Sequence, residues 1–272
     1  MPISVNFIAQ PIPFFSVIVT THNRPKLLRR ALDSINLQNK ELGVQIILVS
    51  DMNDPETNLV STQKLSSNDI FIRRDPCTPG ESRNTGLLFA TGKYVLFLDD
   101  DDAWHPNFLD SLFVQPEVQL GNLVFYDCSR VIERRLPTGP EFIQEDRQSM
   151  KERLNAAIYF KNRIHLSCIA FPRTALNDLK FDALLRTFED WDFLLSIFDR
   201  KINLLFVPVL GSRIFEVHDD TSDRLSDGSE DFSTLLDYLY IYRRHPAPND
   251  IVKGYRAAIL KNHGFEIDSS FL

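Results

Sequence analysis

Between residues 15 and 98 the chain changes repeatedly from one hydrophobic period to another, and this alternation restricts its fold more than any other feature. Phe15-Ser-Val-Ile-Val-Thr20, Val44-Gln-Ile-Ile-Leu-Val49, Ile70-Phe-Ile-Arg73 and Tyr94-Val-Leu-Phe-Leu98 are short apolar, β-branched runs that read as buried strands. After the first, Pro25 fits the first turn of a helix whose apolar positions are Leu27, Leu28, Ala31, Leu32 and Ile35. A weaker helical stretch covers 56–65. Another covers 81–90, after the turn Pro79-Gly80 and before the stop Thr91-Gly92. Strands and helices alternating over short links imply a mainly parallel sheet covered on both faces. In such open sheets, ligands bind beyond the carboxyl ends of the strands. Residues 20–24, 51–54 and 99–102 all fall at such ends, so three polar clusters are expected to converge on one crevice.

Beyond Trp104 the pattern loosens. Residues 122–126, 167–171, 204–209 and 213–217 read as strands, and 188–198 as a helix with an apolar face at Trp191, Leu194, Leu195 and Phe198. Residues 134–145, with Pro137, Gly139 and Pro140, read as a loop, and 146–160 as a helix. Two helices at 231–243 and 252–262 close the chain. The expected division is one domain over 14–220, with a donor half (14–102) and an acceptor half (103–220), and a helical appendage at 221–272. A length of 272 residues suits this arrangement.

Composition excludes several alternatives. No apolar run approaches the length needed to span a bilayer. The first 13 residues lack the basic start and long apolar stretch of a secretory signal. The expected location is therefore the cytoplasm, with peripheral contact at the inner membrane face through the C-terminal helices left open, as is the oligomeric state. A formal charge of −7 argues against a nucleic-acid partner. Cys77, Cys128 and Cys168 have no zinc-ligand or disulfide spacing and read as small core residues.

The run Asp99-Asp100-Asp101-Asp102 closes the fourth strand. Adjacent carboxylates repel, and Mg²⁺ or Mn²⁺ shared with a diphosphate relieves that repulsion. A solvated acidic turn or a helix cap fits the four residues equally well. The apolar strand before them and Trp104-His105-Pro106 after them favour the metal. A second acidic group, Glu189-Asp190-Trp191-Asp192, opens a helix. Successive helical residues point about 100° apart, so only some of these carboxylates reach one site. They serve either as first-turn caps or as a proton acceptor.

Phe97-Leu-Asp-Asp-Asp-Asp-Ala-Trp-His-Pro106 resembles the Asp-x-Asp segment of the family 2 glycosyltransferases. Ser16-Val-Ile-Val-Thr-Thr-His-Asn-Arg-Pro25 is similar to that family's opening strand and nucleotide loop. Gly80-Glu-Ser-Arg-Asn-Thr-Gly86, Phe181-Asp182 and Phe188-Glu-Asp-Trp-Asp192 match further family segments, in the family's order. The resemblance implies an α/β GT-A fold, Rossmann-like, with a mostly parallel central sheet flanked by helices. It implies an inverting transfer of a sugar from a nucleotide-diphosphate sugar, UDP-sugars favoured, to a hydroxyl of a glycan or lipid-linked glycan. By the same resemblance Thr21, Asn23 and Arg24 line the base and ribose pocket, and Asp51 hydrogen-bonds the base. Arg83 and Asn84 lie near the donor phosphates or sugar, Asp99 and Asp100 belong to the donor site, and Asp102 lies close to the sugar or acceptor. Asp101 coordinates Mn²⁺ or Mg²⁺, with His218 as a further ligand, and Asp190 is the general base. Trp104 and Trp191 are candidates for stacking on sugars or for the core, and Arg224 for closing over the phosphates. Ser50 and Met52 depart from the family's usual Asp-Asp-Gly-Ser, which bears on base preference. Two rival readings are a site that binds nucleotide-sugar without turnover and a sugar nucleotidyltransferase. The second lacks the glycine-bearing loop expected after the first strand.

Overall fold

The computed structural model describes residues 12–136, 139–218 and 232–272. Its first half is built from β1 (Phe15–Thr21), α1 (Pro25–Asn36), β2 (Val44–Ser50), α2 (Pro55–Lys64), β3 (Ile70–Arg73), α3 (Pro79–Phe89) and β4 (Tyr94–Asp99). Each helix opens on a proline, whose missing N–H costs nothing in the first turn. Thr78 and Glu81 form a reciprocal capping box on α3, the helix that carries Arg83.

The second half follows with β5 (Ala103–Trp104), α4 (Phe108–Phe113), α5 (Pro116–Gln119), β6 (Leu123–Leu136), β7 (Gly139–Gln148), β8 (Ile169–Pro172), α6 (Glu189–Asp199), β9 (Leu204–Val217), α7 (Phe232–Arg244) and α8 (Asp250–Asn262). The sheet order is β3-β2-β1-β4-β8-β6-β9-β5, with β7 paired to β6. Strands β3, β2, β1 and β4 are mutually parallel, while β8 runs antiparallel to both β4 and β6. The sheet is therefore mixed, parallel in its first four strands, and helices flank it. In the parallel half, Thr21 lies opposite Ser50 and Thr20 opposite Asp99. This register brings the three polar clusters to one level.

Helix α3 lies close against β1 at Gly86, where an added Cβ would stand 2.5 Å from Ile18 Cγ2. Only glycine allows that approach.

Three sequence expectations change. The described residues among 134–145 are not a loop: 134–136 end β6 and 139–145 belong to β7, which pairs with β6, while 137–138 lie outside the described residues. Opposite charges hold β7, with Arg134 on Glu141 at 3.2 Å, and Arg213 of β9 on Glu145 at 2.7 Å. An edge strand stabilised this way shows no apolar alternation. Residues 146–160 are not a helix. The Asp127 carboxylate accepts from the Met150 N–H (3.0 Å) and pairs with Arg147 (2.7 Å), which draws that segment onto β6 and leaves only a 3-10 turn at Ala156–Tyr159. The runs 204–209 and 213–217 are one strand.

Helices α7 and α8 bury Leu235, Tyr238, Ile241, Tyr242 and Leu260 in the same core as β1, β4 and α6. Arg256 of α8 is fully buried and donates to the backbone carbonyls of Tyr159, Tyr242, His245 and Leu272. The expected boundary near 221 and Arg224 lie outside the described residues. Among the described residues, no helix is long and apolar enough to cross a membrane.

Candidate active site

A cavity of about 460 Å³ opens at the carboxyl ends of the parallel strands. The end of β1 contributes Thr21, His22 and Arg24, and the end of β2 contributes Asp51. Arg83 comes from α3, and all four aspartates from the end of β4. Asn162, His165, Arg186, Glu189 and Asp190 line the wall contributed by the second half.

The four aspartates divide into two pairs. Asp100 and Asp102 point inward. Asp100 accepts from Thr21 Oγ1 at 2.6 Å, and Asp102 accepts from the Phe215 N–H at 3.0 Å. Burial pushes the Asp100 carboxyl up to about 7 against the opposing charge of Arg24, and burial raises Asp102 well above the carboxylate range. Asp99 and Asp101 keep side-chain surface on the cavity, 43% and 17% respectively. Burial also works against ionisation of Asp99, but the Arg83 guanidinium at 2.8 Å outweighs it and holds that carboxyl below its ordinary value.

Arginines balance this charge. Arg24 stands 2.7 Å from Asp100, in contact but not aligned as a hydrogen bond, and 3.3 Å from Asp101. Arg30 of α1 donates to the Asp101 carbonyl at 2.5 Å, pairs with Glu133 at 2.6 Å and stacks over Phe215. Among the described residues, no group of three or more His, Cys, Asp or Glu side chains converges as a ready ligand set. The donor set is instead one or two hard carboxylate oxygens at the cavity surface. That fits Mg²⁺ or Mn²⁺ taken up with a diphosphate, since such ions complete their shells with phosphate and water oxygens.

Arg83 joins the two halves of the site. Its guanidinium pairs with Asp99 on one side and Glu189 on the other, and lies against the Phe181 ring. Burial lowers its proton affinity, but Asp99 and Glu189 raise it further, so it remains charged. Glu189 and Asp190 begin α6. Asp190 is half-buried on the cavity wall. It accepts from Asn162 Nδ2 at 3.0 Å and from the Trp191 N–H at 2.7 Å. Burial raises the Asp190 carboxyl above its usual value, the Asp99 charge adds to this, and Arg83 opposes it. Phe188, just before the pair, holds φ 61°, a left-handed conformation that costs a bulky residue about 1–3 kcal/mol.

The cavity gathers Thr21, Arg24, Asp51, Arg83, Asp99, Asp100, Asp101, Asp102 and Asp190. It does not gather the other three candidates. Asn23 is exposed in a left-handed turn between β1 and α1, and faces a neighbouring groove. Asn84 clamps Phe181, donating to its carbonyl and accepting from its N–H, both at 2.9 Å. His218 is exposed at the end of β9 and donates its backbone N–H to the Glu133 carbonyl. Both tryptophans belong to the core. Trp104 is buried, and Trp191 is fully buried with its indole N–H on the Ile158 carbonyl. Ser50 folds the 50–52 turn through its bond to the Met52 carbonyl, and the Asp51 carboxylate on that turn accepts from His22 Nδ1 at 2.8 Å. Sequence reading missed Asn162, His165 and Arg186 as wall residues, and it gave no separate role to His22 within the 20–24 cluster or to Glu189 beside Asp190. The Glu189–Arg83 pairing had a signal, since both sit in segments already singled out, whereas Asn162 and His165 lie in a stretch without periodicity.

The model of the family described as glycosyl transferase family 2 matches residues 16–157, just over half of the chain. The chain belongs to that family. A β-1,3-glucosyltransferase of Campylobacter jejuni, named for the acceptor GalNAc(5)-diNAcBac-PP-undecaprenol, is 34% identical over 136 residues, covering 48% of this chain and 42% of that protein. The chain spans 42%, 59% and 66% of three curated relatives' lengths. Among solved structures, S. aureus TarS 1-349 in complex with UDP-GlcNAc superposes with a TM-score of 0.62 at 20% identity, covering 93% of this chain and 73% of that one. The Pyrobaculum calidifontis mannosyltransferase PcManGT, in complex with GDP-Man and Mn²⁺, gives 0.56 at 17% identity, covering 95% and 77%. At these identities the likeness establishes the GT-A fold of the family 2 chain.

Proposed function

We propose that this family 2 chain is an inverting glycosyltransferase that moves a sugar from a nucleoside diphosphate to an acceptor hydroxyl. The observation that carries the reading is the meeting, in one cavity, of the Asp51 and Asp99–Asp102 strand ends with a half-buried Asp190 on the opposite wall. The relatives' names agree with it: TarS was solved with UDP-GlcNAc, PcManGT with GDP-Man and Mn²⁺, and the C. jejuni enzyme is named for a lipid-linked acceptor.

Asp51 offers the base a carboxylate, able to accept from the N–H of a uracil-like ring. Arg186 is exposed on the rim, has no ion pair among the described residues, and is available to a phosphate. Asp101, with Asp99 beside it, would hold Mg²⁺ or Mn²⁺, which supplies charge stabilisation for the departing diphosphate. Asp190 accepts the proton of the attacking hydroxyl, and the Asn162 bond fixes the orientation of its carboxylate. Inversion needs one such base and no covalent nucleophile. A screen of UDP-, GDP- and dTDP-sugars with Mn²⁺, read by thermal shift and then by nucleotide release with candidate acceptors, tests the reading. Donor binding without release under any acceptor would support a binding subunit instead.

A further inference from the structure

We infer that α7 is a positioning element for Asp190, acting through Asp237 and Tyr238 on the turn that launches α6. This rests on the proposed role of Asp190. The turn is strained, with Phe188 at φ 61° immediately before Glu189 and Asp190. A residue held in that region persists only where its surroundings over-determine it. Here the surroundings come from the C-terminal helix. The Asp237 carboxylate accepts from Thr187 Oγ1 at 2.6 Å and from the Thr187 N–H at 3.3 Å. The Tyr238 ring lies 4.9 Å from the Phe188 ring and 5.5 Å from that of Trp191, so it packs against the residues on both sides of Glu189 and Asp190. One turn further along α6, buried Asp192 accepts from His245 Nε2 at 3.0 Å and forms an ion pair with Arg244, 3.3 Å from its Nε, and His245 Nδ1 bonds Asp199 at 2.5 Å. Helix α7 and its end thus grip α6 before, within and after its first turn.

The geometric consequence is specific. The left-handed Phe188 sets the direction in which α6 leaves the turn. That direction turns Glu189 to Arg83 and Asp190 to Asn162. None of Asp237, Tyr238 or His245 lines the cavity. Their contribution lies in where they hold the base.

The test compares Asp237→Ala with Asp237→Asn, whose amide oxygen still accepts from Thr187. Three readouts are taken: hydrogen exchange at the amides of 188–192, the dissociation constant of UDP and of GDP with Mn²⁺, and kcat with the donor and acceptor found in the screen. In Asp237→Ala, exchange at 188–192 is expected to accelerate about 10-fold. A base displaced by the order of 1 Å should lower kcat on the order of 10²-fold while the nucleotide constants stay unchanged. Asp237→Asn should retain most of the wild-type kcat. Should Asp237→Ala fail to fold, Tyr238→Leu, also outside the cavity, removes the ring packed on Phe188 and should show a smaller loss confined to kcat. Unchanged exchange and kcat in Asp237→Ala would overturn the inference. So would a parallel loss of nucleotide binding and kcat, which marks general destabilisation. If the wild-type chain transfers no sugar, the functional reading fails, while the exchange comparison still decides whether α7 holds the turn.

Discussion

Asp190 and Arg83 stand in the same cavity and call for different tests. Replacing Asp190 by Asn keeps size and shape but removes the proposed proton acceptor, so transfer should fall roughly 10²–10⁴-fold with nucleotide affinity intact. Initial rates beside calorimetry with UDP or GDP check this. Only the ionised form accepts a proton, and burial raises the Asp190 carboxyl. Activity should therefore be lost, as pH falls, at a higher pH than for an ordinary aspartate near ~3.9. A kcat profile flat down to that value would contradict the assignment. Arg83→Met tests stability instead. It leaves buried Glu189 without its counter-charge, and breaking a buried pair in this way costs about 3–5 kcal/mol, readable as a shift in the urea midpoint.

At the scale of elements, the close approach of α3 to β1 is the vulnerable joint. Gly86→Ala places a methyl against Ile18, and overpacking of this kind costs about 1–3 kcal/mol. In an Ile18→Ala background, which lacks the Cγ2 that the new methyl meets, the penalty of Gly86→Ala should be smaller, as measured by urea unfolding of the single and double variants. These elements also divide what sequence could reveal from what it could not. The strands β1, β2 and β4 are buried, so their apolar runs are continuous and their ends easy to locate. Once those ends were located, the convergence of Asp51 with the aspartate run followed from topology. Strand β7 escaped because it is largely exposed and carries charges rather than a buried apolar face. Asn162, His165 and Arg186 escaped because tertiary folding alone brings their irregular segments to the cavity. The split of the Asp run into inward Asp100 and Asp102 and outward Asp99 and Asp101 depends on bonds to Thr21 and Phe215, which no spacing encodes.

For the whole molecule, the C-terminal helices belong to the core they cover. Deleting residues 232–272 uncovers Trp191 and the rings packed on it, and takes away the buried guanidinium of Arg256. The truncated chain should bind an apolar dye and lose its cooperative unfolding transition. A soluble, cooperatively unfolding fragment would show that the helices are dispensable.

The contact between Arg24 and Asp101 has a consequence for the order of events. The acidic loop already carries a tethered cation of its own, so a free metal ion arriving alone must compete with an arginine for the same oxygens. A nucleoside diphosphate arriving with the ion changes that competition, because its phosphates offer the arginine another anion. Mn²⁺ titrated into the protein by itself should give little heat, and the same titration with UDP or GDP present should give a strong signal. Arg24→Gln should bring the two titrations closer together, turning a concerted arrival of ion and nucleotide into two independent ones.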